Sequence, residues 1–383
     1  MTAPPRPTPP THLARPVRVT RRLLADGREI RYVDEEGTPP RIAEDPRPKE
    51  ERVHSGELRH DALVGDWVAV AGHRQNRVLL PPKDECPLCP AGVGSAPSEI
   101  PETDYQVVVF ENRFPSYSSV PDGRESPDPA GLLDVKPAAG RCEVVCFTSD
   151  HDSAFKDLPL ERVRTVIDTW AQRTEELGAL ESVEHVFCFE NRGREIGVSL
   201  HHPHGQIYAY PYLPERTRQL LDRARQHFAA TGRLLGADLL AAERADGSRV
   251  VLEGTHWTAY VPFAARWPLE IHLAPHRDVP DLATLHDEER DELALVYREL
   301  LRRLDRYHVA EDGSPVTMPY IAAWHQAPAK EGRDVSRLHL QLMSVLRAPG
   351  KLKYLAGSES GVGGWVNDVL PESTAARLRE VAS

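Results

Sequence analysis

The order strand, histidine-bearing loop, amphipathic helix, strand, polar loop, strand occurs twice along this chain, and that duplication commits it to two similar α+β halves. In the first copy, CEVVCFT (Cys142 to Thr148) has the continuous apolar run of a buried strand, and His151 follows it. Leu160, Val163, Ile167, Trp170 and Leu177 then fall at helical spacing. HVFCFE (His185 to Glu190) and QIYAYPY (Gln206 to Tyr212) read as strands bracketing a glycine-bearing loop. In the second copy LEIHLAPH (Leu269 to His276) is the strand, with His276 after it, and Leu293, Val296, Leu300, Leu304 and Tyr307 mark the helix. PYIAAWH (Pro319 to His325) and RLHLQLMSV (Arg337 to Val345) close the repeat as strands.

The halves are preceded by a proline-rich arm: ten of the 34 prolines lie in the first 50 residues. Met1 to Arg18 and Glu35 to Gly56 are therefore expected to carry little regular structure. Between them, VTRRLLADGREIRYVD has an Asp-Gly turn flanked by alternating residues, which predicts a β-hairpin. Compact sequence is expected from Arg59, where DWVAVAGHR reads as a strand ending in a basic loop. The expected domains are an arm over 1–58, a catalytic half over 59–214 and a second half over 215–383.

A formal charge of −11 argues against a general nucleic-acid binder, which needs a basic footprint. MTAPPRPTPP lacks the charged start and apolar run of a signal peptide, and no apolar stretch is long enough to span a bilayer. The five cysteines, an odd and sparse set, do not make a secreted disulfide framework. A cytoplasmic location is expected.

The most informative stretch is GVSLHHPHGQIYAY, Gly197 to Tyr210. On a strand, residues two apart share a face, so His202, His204 and Gln206 line up and His201 faces the other way. Pro203 cannot donate to a ladder and marks a break in pairing that leaves backbone near His204 open to a ligand. A neutral imidazole is a competent nucleophile toward phosphorus when its other nitrogen is held as a donor. Gln206 adds an amide that donates to a phosphate oxygen without offering a transferable proton, and Ser199 with the amides around Gly197 could bind the remaining oxygens. The arrangement suits phosphoryl or nucleotidyl transfer.

CPLC, Cys86 to Cys89, is the second signal. Two thiolates at this spacing share a tetrahedral zinc in many proteins, with His151 and His202 as candidates for the other two positions; a pair of inert buried thiols is the competing reading.

Taken together, GDWVAVAGHRQNR, CPLC, VFENRFP, CFTSDH, FENRG, GVSLHHPHGQ, YVPFAARWPLE, AAWHQAP and KYLAGSE, in that order, resemble the galactose-1-phosphate uridylyltransferases, a branch of the histidine-triad superfamily. The resemblance runs from Arg59 to the C-terminus. It implies two histidine-triad-like units, each an antiparallel sheet with flanking helices. It implies that His204 is the nucleophile of a covalent uridylyl-histidine and that Gln206 bonds the transferred phosphoryl group. Cys86, Cys89, His151 and His202 match structural zinc ligands. Arg74 and Arg77 resemble arginines that a partner subunit offers the nucleotide, which implies a homodimer. Asn112, Asn191, Gly197 and Ser199 match uridine and phosphate contacts, and Lys353, Tyr354 and Glu359 fall in the sugar-binding segment.

The chain departs from the family pattern at several points. Some members hold a second metal with a glutamate and three histidines; here His325 and His339 match two, but the other positions are Gln341 and Leu220, so a second metal is not expected. Ser358 stands where a tyrosine is expected, and GVGGWVND replaces the usual ending, which leaves the hexose preference open. The expected activity is ping-pong exchange of glucose 1-phosphate and galactose 1-phosphate on the UDP-sugar. A related nucleotidyltransferase or phosphorylase acting on another nucleotide is the alternative, and a zinc-stabilised nucleotide sensor without turnover is a third reading.

Overall fold

The computed structural model describes residues 17–49, 56–76, 80–94, 97–121 and 131–382. The expected hairpin forms: β1 (Val17–Leu23) and β2 (Glu29–Glu35) pair antiparallel, and Gly27 takes the positive φ (+79°) of their tight turn. The hairpin docks on the body of the protein, because β2 continues into antiparallel pairing with β3 (Val107–Glu111), Ile30 opposite Phe110. Val17 and Arg18, expected to be irregular, belong to β1; residues 1–16 lie outside the described set. After β2 the described residues up to Lys49 contain no helix or strand, yet Arg41 is buried there on Asp34 (Nη2 to Oδ1, 2.6 Å).

The remaining strands of the main sheet are β4 (Arg141–Cys146), β5 (His185–Arg192), β6 (His204–Tyr210), β7 (Val250–Glu253), β8 (Trp257–Tyr260), β9 (Leu269–Pro275), β10 (Tyr320–His325) and β11 (His339–Ser344). The eleven strands lie in the order β1-β2-β3-β4-β6-β5-β10-β11-β9-β8-β7. The order β3-β4-β6-β5 in the first half is mirrored by β8-β9-β11-β10 in the second, which is the duplication. The two units are not separate sheets: β5 and β10 pair antiparallel, Arg192 opposite Tyr320 and Phe189 opposite Ala323. Each half alone would end in an edge strand with unpaired N–H and C=O groups, and here the two edges satisfy each other. A separate small sheet holds Glu57–Asp61, Asp66–Val70 and Val135–Pro137, so the expected strand in DWVAVAGHR is there, followed by a short 3-10 turn over Gly72–Asn76.

Both expected helices form, as α1 (Leu160–Gly178) and, after α2 (Glu215–Thr231) and α3 (Leu235–Asp246), as α4 (Asp287–Tyr307). α4 starts upstream of its apolar stripe because Glu289 reaches back to the His286 N–H (2.8 Å) and three acidic residues occupy its positive end. α1 and α4 cover one face of the sheet, burying Trp170, Tyr297, Leu300 and Trp324. Each such side chain contributes about 1.5–3 kcal/mol when withdrawn from water. Arg164 of α1 bonds Asp287 and Asp291 of α4 and ties the halves together on this side. Ile207 and Ala209 on β6, Leu340 and Leu342 on β11, and Ile271 and Leu273 on β9 face the helices. Alternation therefore sends His204, Gln206, His339, Gln341 and His272 to the opposite, open face. No described helix is long and apolar enough to cross a membrane.

Candidate active site and metal centre

β6 begins at His204, where Pro203, lacking an N–H, interrupts the ladder; the Pro203 carbonyl accepts from the Phe147 N–H (3.3 Å). Gly205 sits between the two polar residues for a steric reason. A Cβ there would meet the Phe147 ring at 2.9 Å and the Phe189 carbonyl oxygen at 3.0 Å. Partly buried His204 donates its Nδ1–H to the His202 carbonyl (2.7 Å), so Nε2 is the nitrogen left with a lone pair. Burial lowers its pKa against the opposing pull of that carbonyl, which keeps the ring neutral near pH 7. Gln206 follows on the same face, between Phe189 of β5 and Val144 of β4.

His204 opens onto a cavity of about 320 Å³, lined also by Asn191, Arg192, Arg194, Ser153 and Thr317. Asp305 grips the Arg192 guanidinium with both oxygens (2.8 and 3.0 Å), fixing that cation at the wall. Beside Asn191, Glu190 is buried on the helix side and accepts from the hydroxyls of Tyr320 (2.9 Å) and Tyr297 (3.4 Å). Burial pushes its pKa up to about 7.

The second cluster is adjacent. One ligand atom from each of Cys86, Cys89, His151 and His202 lies within 4.8 Å of the others. Cys89 Sγ is 3.4 Å from His151 Nδ1 and 3.6 Å from His202 Nδ1. His202, fully buried just before β6, has its Nε2 2.8 Å from the Thr148 carbonyl oxygen and 2.7 Å from Tyr105 Oη. That pairing makes Nε2 the protonated nitrogen and turns the Nδ1 lone pair toward the thiols, the outer-shell arrangement of a ligating histidine. Burial and Cys86 together push the Cys89 thiol up to about 12. Two thiols beside two imidazoles suit a soft divalent cation, which supplies the charge that makes thiolates affordable.

The other residues expected at the site are distributed more widely. Asn191 shares the cavity with His204. Gly197 takes a left-handed φ of +80° at the end of the 3-10 turn Arg194–Ile196, and Ser199 holds Leu80 through its carbonyl (2.8 Å); neither lines the cavity. Arg74 Nη1 donates to the Phe114 carbonyl (2.8 Å), and Asn112 Oδ1 accepts from the Phe114 N–H (2.9 Å), so both are engaged with one loop. Arg77 lies outside the described residues. Lys353 pairs with Glu359 (3.3 Å) and Tyr354 is 78% exposed; this segment does not reach the His204 cavity within one chain. His325 Nε2 is 3.0 Å from Gln341 Oε1, while Leu220 is exposed on α2. Sequence reasoning missed Glu190, Arg192 and the Thr148–Tyr105 support of His202. The first two stand inside FENRG, a motif noted without assigning them a role.

Comparison with known proteins matches residues 47–214 to the N-terminal domain of galactose-1-phosphate uridyl transferase and residues 220–383 to its C-terminal domain. The chain is 48% identical over 367 residues to a galactose-1-phosphate uridylyltransferase of Streptomyces lividans, covering 94% of this chain and 96% of that one. It is 36% identical over 332 residues to the Thermotoga maritima protein of the same name (85% and 98% covered). A solved uridylyltransferase structure superposes with a TM-score of 0.74 at 33% identity, covering 85% of this chain and 98% of that one.

Proposed function

The chain belongs to the galactose-1-phosphate uridyl transferase family and is a hexose-1-phosphate uridylyltransferase, and from that premise we propose that it works by ping-pong exchange through a covalent uridylyl-His204. The observation that carries this reading is the His204 ring itself: Nδ1–H is committed to the His202 carbonyl, and Nε2 keeps its lone pair beside the cavity. Nε2 attacks the α-phosphorus of UDP-glucose; a P–N bond forms, the P–O bond to glucose 1-phosphate breaks, and the other ring proton stays on Nδ1, hydrogen-bonded to the His202 carbonyl. Galactose 1-phosphate then attacks the same phosphorus through an already ionised oxygen, restoring His204 and releasing UDP-galactose. Gln206 positions the transferred phosphoryl group, and Asn191 with the loop carrying Gly197 and Ser199 holds the nucleotide.

Cys86, Cys89, His151 and His202 would hold one structural zinc, whose role is to stabilise thiolates and anchor the chain just before β6. The reading also includes a homodimer in the cytoplasm. The exposed apolar side chains Leu63, Leu132 and Leu133 near the small sheet, and Tyr354, Val362 and Leu370 near the C-terminus, support a partner that covers them and receives Arg74, Arg77 and the Lys353–Glu359 segment. Five free thiols suit a reducing compartment. We read 59–214 as the catalytic half and 215–383 as the supporting one.

The test is intact-protein mass spectrometry after mixing with UDP-glucose alone. A uridylyl adduct should appear on the wild type and be absent from His204→Gly, whose turnover should recover in part with added imidazole. Near-normal exchange by His204→Gly without imidazole would overturn the assignment.

A further inference from the structure

The second half carries its own polar cluster on the open face of the sheet. His339-Leu340-Gln341 on β11 repeats the spacing of His204-Gly205-Gln206 on β6, and the strands match in register: Gln206 lies between Phe189 and Val144, Gln341 between Ala323 and His272. The rings of His325 and His339 stack 4.9 Å apart, and His272 lies 5.3 Å from His339. These three imidazoles and Arg216 of α2 line a cavity of about 180 Å³, separate from the His204 cavity, whose remaining wall includes Leu221 and Leu239.

Arg216 is the group that needs an explanation. A guanidinium presents five donors and keeps its charge in proteins. Among the described residues no carboxylate pairs with Arg216, and its Nε is buried without a hydrogen-bond partner. Glu270, the carboxylate whose field reaches Arg216, is already engaged: it accepts from Gln341 Nε2 (2.7 Å), His272 Nε2 (3.1 Å) and the Arg266 N–H (2.6 Å). A partly buried cation with a buried, unbonded Nε and no carboxylate partner gains when an anion joins it.

The histidines do not make this a metal centre. His272 is tied to Glu270 and His325 to Gln341 through their Nε2 atoms, and among the described residues the Cys86–Cys89–His151–His202 set is the one whose ligand atoms converge. His325 and His339 are held neutral by burial and by Arg216. The other arginine of the wall, Arg337, is engaged by the carbonyls of Pro275 and His276 and by Asp278, which leaves Arg216 as the uncommitted cation of the pocket.

We propose that this cavity binds a small organic oxyanion, its charged end on Arg216 among the three histidines and its apolar body against Leu221 and Leu239. One guanidinium matches a single carboxylate or singly charged phosphate group, and the leucine wall favours a body of a few carbons over a bare ion. This site stands independently of uridylyl transfer at His204.

The test is histidine-ring NMR on the full-length protein, with His272, His325 and His339 assigned by single asparagine substitutions. Butyrate and inorganic phosphate are the probes. Butyrate should shift these three signals saturably at millimolar concentration or below and leave His204 unmoved, and phosphate should do so at higher concentration. Arg216→Gln should weaken the response at least tenfold at an unchanged thermal midpoint; Arg216→Lys, which keeps the charge, should weaken it less. Absence of a saturable shift, an equal response in Arg216→Gln, or tighter binding of phosphate than butyrate would overturn the proposal. Stoichiometric binding of Co²⁺ by these histidines would overturn it in favour of a metal.

Discussion

Whether uridylyl-His204 waits for a sugar phosphate or is lost to water depends on the side chain at position 206. An amide can position and polarise, whereas an imidazole can also take a proton from attacking water, assistance worth on the order of a hundredfold or more. Gln206→His should therefore raise the ratio of hydrolysis to transfer, read as UMP release from the pre-formed intermediate without acceptor. An unchanged ratio with His204 still uridylylated would mean that Gln206 does not protect it. Glu190 offers a separate test. Its carboxyl is raised from the ordinary range to about 7, so the folded state binds the extra proton between those values. Stability must then fall as pH rises through that window. Glu190→Gln should flatten the fall between pH 5 and 8 in urea titrations; an equal slope in both proteins would refute the coupling. The period-2 alignment of His204 and Gln206 was legible because strand geometry is local. The burial of Glu190 beneath Tyr297 and Tyr320 was not, since it depends on a helix and a strand more than a hundred residues away.

At the scale of elements, the Cys86–Cys89 loop is fastened to the start of β6 by a four-ligand cluster. Metal analysis should find about one zinc per chain, and Cys86→Ser or Cys89→Ser should lower both zinc content and thermal midpoint. A zinc-free wild type with full stability would refute the site. Gly193, in the loop between β5 and β6, has φ +100°, and a Cβ there would meet Pro319 Cβ at 2.6 Å and Cα at 2.9 Å. Gly193→Ala should cost about 1–3 kcal/mol in denaturant unfolding and lower turnover, because both residues line the His204 cavity. The strands and helices α1 and α4 were readable from apolar periodicity. α2 was not, because it buries only Leu221 and Ala224 and carries too thin a stripe to register.

For the molecule as a whole, the β5–β10 pairing had no sequence signal, since an edge that will be covered reads like any other strand. It makes the halves interdependent. A fragment ending at Leu213 should expose β5, lose the Arg164–Asp291 tie and aggregate, whereas co-expression with the complementary fragment should recover soluble material; a monomeric, cooperatively folding fragment would contradict this. The pairing also sets a schedule during synthesis. Phe189 leaves the ribosome about 130 residues before its partner Ala323, which at roughly 5–20 residues per second is a delay on the order of ten seconds. For that interval the nascent chain presents an open strand edge next to the cavity it will use for catalysis, so its dependence on chaperones should be greatest while the second half is still being translated.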